Sequence, residues 1–180
     1  MNRAARRRER KLAQKTGKAE AHSNLGFVLQ AMERPEEAIR HYREMVRLAP
    51  SRPDILGELG DLLLLQREVQ QAAAAYENAL ACDPSSAVAL VGLGNTLLLS
   101  GDVRAAKTHF ERAVASDEQH AAAHLQLGVV RQRLGETSAA AESLRAYLEL
   151  QPNSEIGHTR LATVLTQLGE MPAAKLHFER

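Results

Sequence analysis

The sequence predicts an all-α fold of stacked helical hairpins, and three observations carry that prediction. Of its 180 residues 30 are Ala and 26 are Leu, both strong helix formers. Aromatic residues make up 3% and Trp is absent, which argues against strands, since these draw on aromatic and β-branched side chains. The deciding observation is a 34-residue period. Leu25-Gly26, Leu59-Gly60, Leu93-Gly94 and Leu127-Gly128 recur at that spacing, and Leu161-Ala162 holds the next place. Ala38, Ala72, Ala106, Ala140 and Ala174 keep the period through five repeats, each followed four residues later by Tyr42, Tyr76, Phe110, Leu144 or Phe178.

Small residues recurring on both helices of a pair mark where the two cross, and the large residue four positions after the Ala shares its face and fills the space beside the crossing. Taken in order, residues 1–18 form a head, which is expected to be partly disordered or helical. Repeat one, 19–52, begins at Ala19, turns at Arg34-Pro35 and closes at Pro50; repeat two, 53–86, begins at Pro53 and closes at Pro84. Repeat three, 87–120, begins at Ala87, turns at Gly101-Asp102 and ends with Glu118 where the others carry Pro. Repeat four, 121–154, begins at Ala121, turns at Gly135-Glu136 and closes at Pro152; a partial fifth, 155–180, begins at Glu155 and turns at Gly169-Glu170. Proline stops each second helix because it lacks an amide hydrogen and disfavours a helical residue before it. A hairpin this small cannot bury its own core, so neighbours must stack.

These residues resemble the tetratricopeptide repeat family, a 34-residue helix-turn-helix unit with a Leu-Gly pair in its first helix, then Ala, an aromatic and a closing Pro. The resemblance covers residues 19–180 and implies a right-handed α-solenoid of about ten helices that serves as a protein-interaction scaffold. The sequence departs from the pattern at the aromatic slot of the first helix, held by His22, Leu56, Leu90, His124 and His158, and at Ala162 and Glu118.

Little in the sequence points to chemistry. His22, His124 and His158 share one slot and His41, His109 and His177 another, so members of each set lie at least one repeat apart, and no His-Glu-x-x-His pair occurs. These histidines are expected to be packing or surface residues, with no metal and no cofactor. Cys82, the only cysteine, excludes an internal disulfide and is expected to be a small buried hydrophobe. Gly92-Leu93-Gly94 lies inside a helix rather than after a strand, so it is no phosphate loop. No catalytic residue is expected and the chain does not read as an enzyme. The longest apolar run, 87–99, contains Asn95 and Thr96 and falls short of the ~20 residues of a membrane span. The basic N-terminus lacks an apolar stretch behind it, so a soluble, cytoplasmic protein is expected.

The net charge of +1 conceals two opposed parts. Residues 1–18 carry eight Lys or Arg against one Glu, whereas 19–180 carry 15 basic and 21 acidic residues. The resemblance implies a concave groove lined by the first helices. Asp54, Glu58 and Asp61 form an acidic stripe there, and Val91 and Asn95, Gln126 and Arg133, and Arg160 line the next three first helices. With Asn24 these residues suit a peptide or helix bearing basic and apolar side chains, whose backbone Asn24, Asn95 and Gln126 can hydrogen-bond. A carboxylate clamp of the chaperone-binding members needs Lys and Arg where this chain has Ser23, Asn24, Glu58, Asp61 and Val91. The asparagine ladder of O-linked N-acetylglucosamine transferases is interrupted by Glu58, Gly92, Gln126 and Arg160, although the arm of such a glycosyltransferase is the alternative reading. In the head, Arg6, Arg7, Arg8, Arg10 and Lys11 form a basic run without aromatics, expected to be a solvated tail; contact with nucleic acid or an anionic membrane is the alternative, and a third reading folds the head back on the acidic stripe. The last repeat is eight residues short, which leaves Leu176 and Phe178 for self-association, for the continuation of a longer chain, or to fray.

Overall fold

A computed structural model describes residues 3–179, with side chains for residue 7 and from residue 11 on. Among the described residues there are ten α-helices and no strand: α1 (Arg3–Ala31), α2 (Pro35–Leu48), α3 (Pro53–Leu65), α4 (Val69–Cys82), α5 (Ala87–Leu99), α6 (Val103–Ser116), α7 (Ala121–Arg133), α8 (Thr137–Leu150), α9 (Glu155–Gln167) and α10 (Met171–Phe178). The head is not separate from repeat one, because residues 3–18 continue the same helix as 19–31. Folding the head back onto the repeats would require that helix to break.

Two compact units divide the chain, residues 1–84 and 85–180. In the first, α1 packs on α2, α2 on α3 and α3 on α4. In the second each helix from α5 to α10 packs on the next, and the first helices of successive repeats also touch, α5 against α7 and α7 against α9.

The hairpin crossings show why the period exists. A Cβ added to Gly26 would run into the Tyr42 ring, at Gly60 it would meet the Tyr76 ring at 2.6 Å, at Gly94 the Phe110 ring at 2.5 Å, and at Gly128 Leu144 Cγ at 2.7 Å. The glycine of the first helix is thus the floor on which the large residue of the second helix rests. Tyr42, Tyr76, Phe110 and Leu144 are fully buried, as are Ala38, Ala72, Ala106 and Ala140 one turn before them. Repeat five departs from this: Ala162 occupies the glycine place and the corresponding ring, Phe178, is 59% exposed. A methyl group stands where the other repeats seat a ring or Leu144, and α10 ends at Phe178 itself.

The turns inside the hairpins use one device throughout. Gly101, Gly135 and Gly169 adopt φ of 86°, 77° and 79°, and the next amide bonds back to the carbonyl five residues earlier, as Asp102 N–H to Leu97 at 2.9 Å. Repeats one and two make the same turn with Glu33 and Arg67 at φ of 57° and 63°, left-handed conformations that non-glycine residues adopt at a cost. The starts of α5, α6, α7 and α9 are capped by Ser86, Asp102, His120 and Ser154, each accepting from the amide three residues on. His120 is therefore a cap, its Nδ1 lying 3.3 Å from Ala123 N.

Neighbouring repeats are also tied by polar contacts with a shared address. The residue just before the second helix is Glu68, Glu136 or Glu170, and it receives a cation from the preceding repeat: Arg43 at 3.7 Å, Lys107 at 2.7 Å and Arg145 at 3.8 Å. None of the described helices is long and apolar enough to cross a membrane.

Candidate interaction surface

Asp54, Glu58 and Asp61 stand at i, i+4 and i+7 of α3 and so share one face. Each carboxylate is engaged, in a different way. Arg52 grips Asp54 through two bonds, Nε to Oδ1 at 2.9 Å and Nη2 to Oδ2 at 2.6 Å. That guanidinium holds the exposed Asp54 carboxyl below the usual carboxylate range and cancels its charge at short range. Glu58 is half-buried and accepts from Gln30 Nε2 at 3.2 Å, while Gln30 Oε1 accepts from the Tyr42 hydroxyl at 3.0 Å. Exposed Asp61 accepts from the Tyr76 hydroxyl at 2.5 Å. Burial, and then Asp61, push that hydroxyl well above the ordinary tyrosine value, so it stays a donor. The acidic face therefore presents the carboxylates of Glu58 and Asp61, with Asp54 already neutralised.

Asn24 is exposed on α1. Two apolar residues absent from the sequence reading share these faces. Phe27 lies 34 residues before Asp61 and is 44% exposed, packed edge-on to Tyr42 with ring centroids 5.5 Å apart; Leu65, one turn after Asp61, is 75% exposed. Comparing residues at the same place of successive repeats would have found Phe27.

In the second unit the expected residues fare unequally. Asn95 and Gln126 are half-buried, Arg133 and Arg160 are exposed, but Val91 is only 8% exposed and has little surface to offer a ligand. Its apolar neighbour Val88 is 52% exposed. A cleft of about 410 Å³ opens elsewhere on this unit, beside Glu111, His124, Arg131 and Glu142. Arg131 spans it, donating to Ser143 Oγ at 2.9 Å and to Glu111 at 3.2 Å. In the head, Arg7 and Lys11 are exposed; the side chains of Arg6, Arg8 and Arg10 lie outside the described residues.

One expectation needs correction. Cys82 is exposed rather than buried, at the end of α4, with its Sγ 3.9 Å from the Pro50 carbonyl. The histidines that lie far apart between repeats come together within them. His22 Nδ1 is 2.9 Å from His41 Nδ1, and His158 Nδ1 is 2.9 Å from His177 Nδ1. Both pairs are spaced 19 in sequence, across a hairpin, a separation that a search within single helices misses. Among the described residues no group of three or more His, Cys, Asp or Glu converges.

In repeat three the slot facing His109 is held by Leu90, and His109 Nδ1 is buried without a hydrogen-bond partner. Burial, and secondly Arg112, lower the His109 pKa below its ordinary value. Below about pH 6.5 the unfolded chain takes up a proton that native His109 refuses, so this residue's contribution to stability falls as pH falls. His109→Leu is expected to raise stability by about 1 kcal/mol at pH 7.5, with the gap to wild type widening at pH 5.5 in urea melts. A loss at both pH values would mean that Nδ1 is satisfied in solution.

The sequence profile of the Tetratricopeptide repeat matches residues 23–87 and 91–155. The chain belongs to this family. Comparison with curated proteins finds no match. Solved tetratricopeptide repeat structures share the fold at low identity. PilF of Pseudomonas aeruginosa aligns over 92% of this chain and 76% of its own, at 21% identity and a TM-score of 0.81. A MamA fragment from Desulfovibrio magneticus RS-1, residue 41 to the end, aligns over 90% and 92% of the two chains at 23% identity and a TM-score of 0.78. YrrB, described as a TPR protein with an unusual peptide-binding site, aligns over 94% and 87% at 18% identity and a TM-score of 0.71. At such identities the likeness establishes the fold, and the tetratricopeptide repeats of this chain must be judged by their own side chains.

Proposed function

We propose that this chain is a protein-interaction scaffold whose repeats, residues 19–180, bind a peptide segment carrying basic and apolar side chains, with residues 1–18 as a basic extension of the first helix. The observation that carries the reading is the mixed face of α1 and α3. Glu58 and Asp61 offer carboxylates fixed by Gln30 and Tyr76, and exposed Phe27 and Leu65 offer apolar surface beside them. Fixed carboxylates favour an arriving cation without first having to be ordered, which is the advantage of pre-organisation. Asn24, Asn95 and Gln126 are amides suited to a peptide backbone, and Arg133 and Arg160 keep the acidic character on α3 rather than on α7 and α9. YrrB, which shares the fold, is described as having an unusual peptide-binding site.

The test is calorimetric titration with two peptides of equal length, one alternating Lys and Leu and the other Glu and Leu. The basic peptide is expected to bind at least tenfold more tightly at low salt, with the preference shrinking as salt screens the charges. Equal affinities, or a preference for the acidic peptide, would overturn the reading.

A further inference from the structure

The peptide reading leaves the histidine pairs unused, and their geometry has its own chemistry. A neutral imidazole carries one ring proton, and the other nitrogen carries a lone pair. His158 Nε2 lies 2.9 Å from the Pro152 carbonyl, which fixes the proton on Nε2 and leaves the lone pair on Nδ1. That lone pair points at His177 Nδ1, 2.9 Å away on the facing helix, so a single proton occupies the line between the two nitrogens. Two Nδ1 atoms on two helices thus converge on one point. The pair in repeat one repeats the arrangement: its ring centroids are 5.1 Å apart, as are those of the second pair, with interplanar angles of 39° and 32°.

We propose that His158 with His177, and His22 with His41, are two sites for a divalent transition-metal ion, each ion bridging the two helices of its hairpin in place of the shared proton, which moves to the Nε2 of the ring that carried it so that both imidazoles ligate as neutral groups. Two metal–nitrogen bonds of about 2.0–2.1 Å at a tetrahedral angle span roughly 3.3 Å. The pair need open by only a few tenths of an ångström, which rotation about the soft terminal torsion of each ring supplies. A carbonyl holding the far N–H of a ligating imidazole is the usual outer contact of histidine metal sites, and Pro152 already provides it to His158.

Room for further ligands exists at the second pair. His158 and His177 line a cleft of about 340 Å³ together with Arg145 and Glu149. With no third His, Cys, Asp or Glu converging among the described residues, water completes the coordination. The site is therefore exchangeable rather than structural, and imidazole ligands select zinc, copper or nickel over magnesium and calcium.

The experiment is a titration of the full chain with ZnCl2 and with MgCl2, followed by calorimetry and thermal melts. His41→Gln, His177→Gln and the double variant are run beside the wild type, each checked for helicity. The expected stoichiometry is two zinc ions in the wild type, one in each single variant and none in the double variant above the background of its remaining histidines. Zinc should raise the melting temperature of the wild type and not of the double variant, and magnesium of neither. Imidazole nitrogen NMR should show the Nδ1 resonances of His158 and His177 shifting together. Zinc binding unchanged in the double variant, or no stronger in the wild type than magnesium binding, overturns the proposal.

Discussion

Gly94→Ala is expected to destabilise the protein by about 2 kcal/mol, a larger loss than an added methyl group causes at an ordinary helical site. Taken alone, the change favours the helix by up to about 1 kcal/mol, since Ala is the better helix former. Against that, the new Cβ would lie 2.5 Å from Phe110 Cε1 and 2.8 Å from Cζ. Phe110 has no exposed surface and stands one turn after the fully buried Ala106, so the ring has no free space into which to retreat. Overpacking of this kind costs typically 1–3 kcal/mol and sometimes more, enough to outweigh the helix gain. Repeat five shows the alternative outcome within the same chain: with Ala162 in the glycine place, Phe178 is 59% exposed. The reciprocal change, Ala162→Gly, is accordingly expected to increase hydrogen-exchange protection of α10. Urea melts of Gly94→Ala should show a lower midpoint at an unchanged slope. A neutral or stabilising result would mean that the ring does not rest on the glycine.

Reversing the acidic face, Asp54→Lys with Glu58→Lys and Asp61→Lys, is expected to weaken binding of the Lys-Leu peptide by at least tenfold at low salt and much less at high salt. The three positions should not contribute equally. Asp54 is paired with Arg52, so its charge is already offset where a ligand would meet it. Asp61→Asn removes a charge while keeping an oxygen to accept from the Tyr76 hydroxyl, which separates electrostatics from folding. Glu58→Gln does the same beside Gln30. Most of the loss should appear in these two conservative variants. A tenfold loss from Asp54→Asn alone, with none from the other two, would move the ligand's contact from Glu58 and Asp61 to the Arg52 end of α3.

The period was legible because it records a steric necessity. A ring can cross a helix closely only where that helix has no side chain, so Gly26, Gly60 and Gly94 and their partners Tyr42, Tyr76 and Phe110 must keep step. Contacts that depend on how one helix faces another were harder to read. Asp54, Glu58 and Asp61 were found on one face from spacing alone, but their partners Arg52, Gln30 and Tyr76 came from the structure. Val91 has the spacing of an exposed residue and yet is buried, since periodicity gives a face and not what covers it. Nothing about an arginine announces the positive φ that Arg67 adopts at its turn. His22 and His41 belong to different helices, and neither helix alone reveals the pair.

The ion pairs at Glu68, Glu136 and Glu170 bear on how such a chain can grow by duplication. Core residues at the crossings are nearly interchangeable between repeats, so packing alone would let copies be inserted or exchanged in many orders. Pairs of this kind, two exposed and Lys107–Glu136 part-buried, add only about 0–1 kcal/mol each to stability, yet they are not indifferent to order. Repeat one carries Arg34 at the place held by Glu170 in repeat five. A recombined gene that set a copy of repeat one after repeat four would bring Arg34 towards Arg145, like charge to like. The surface thus records a preferred succession that the interior does not.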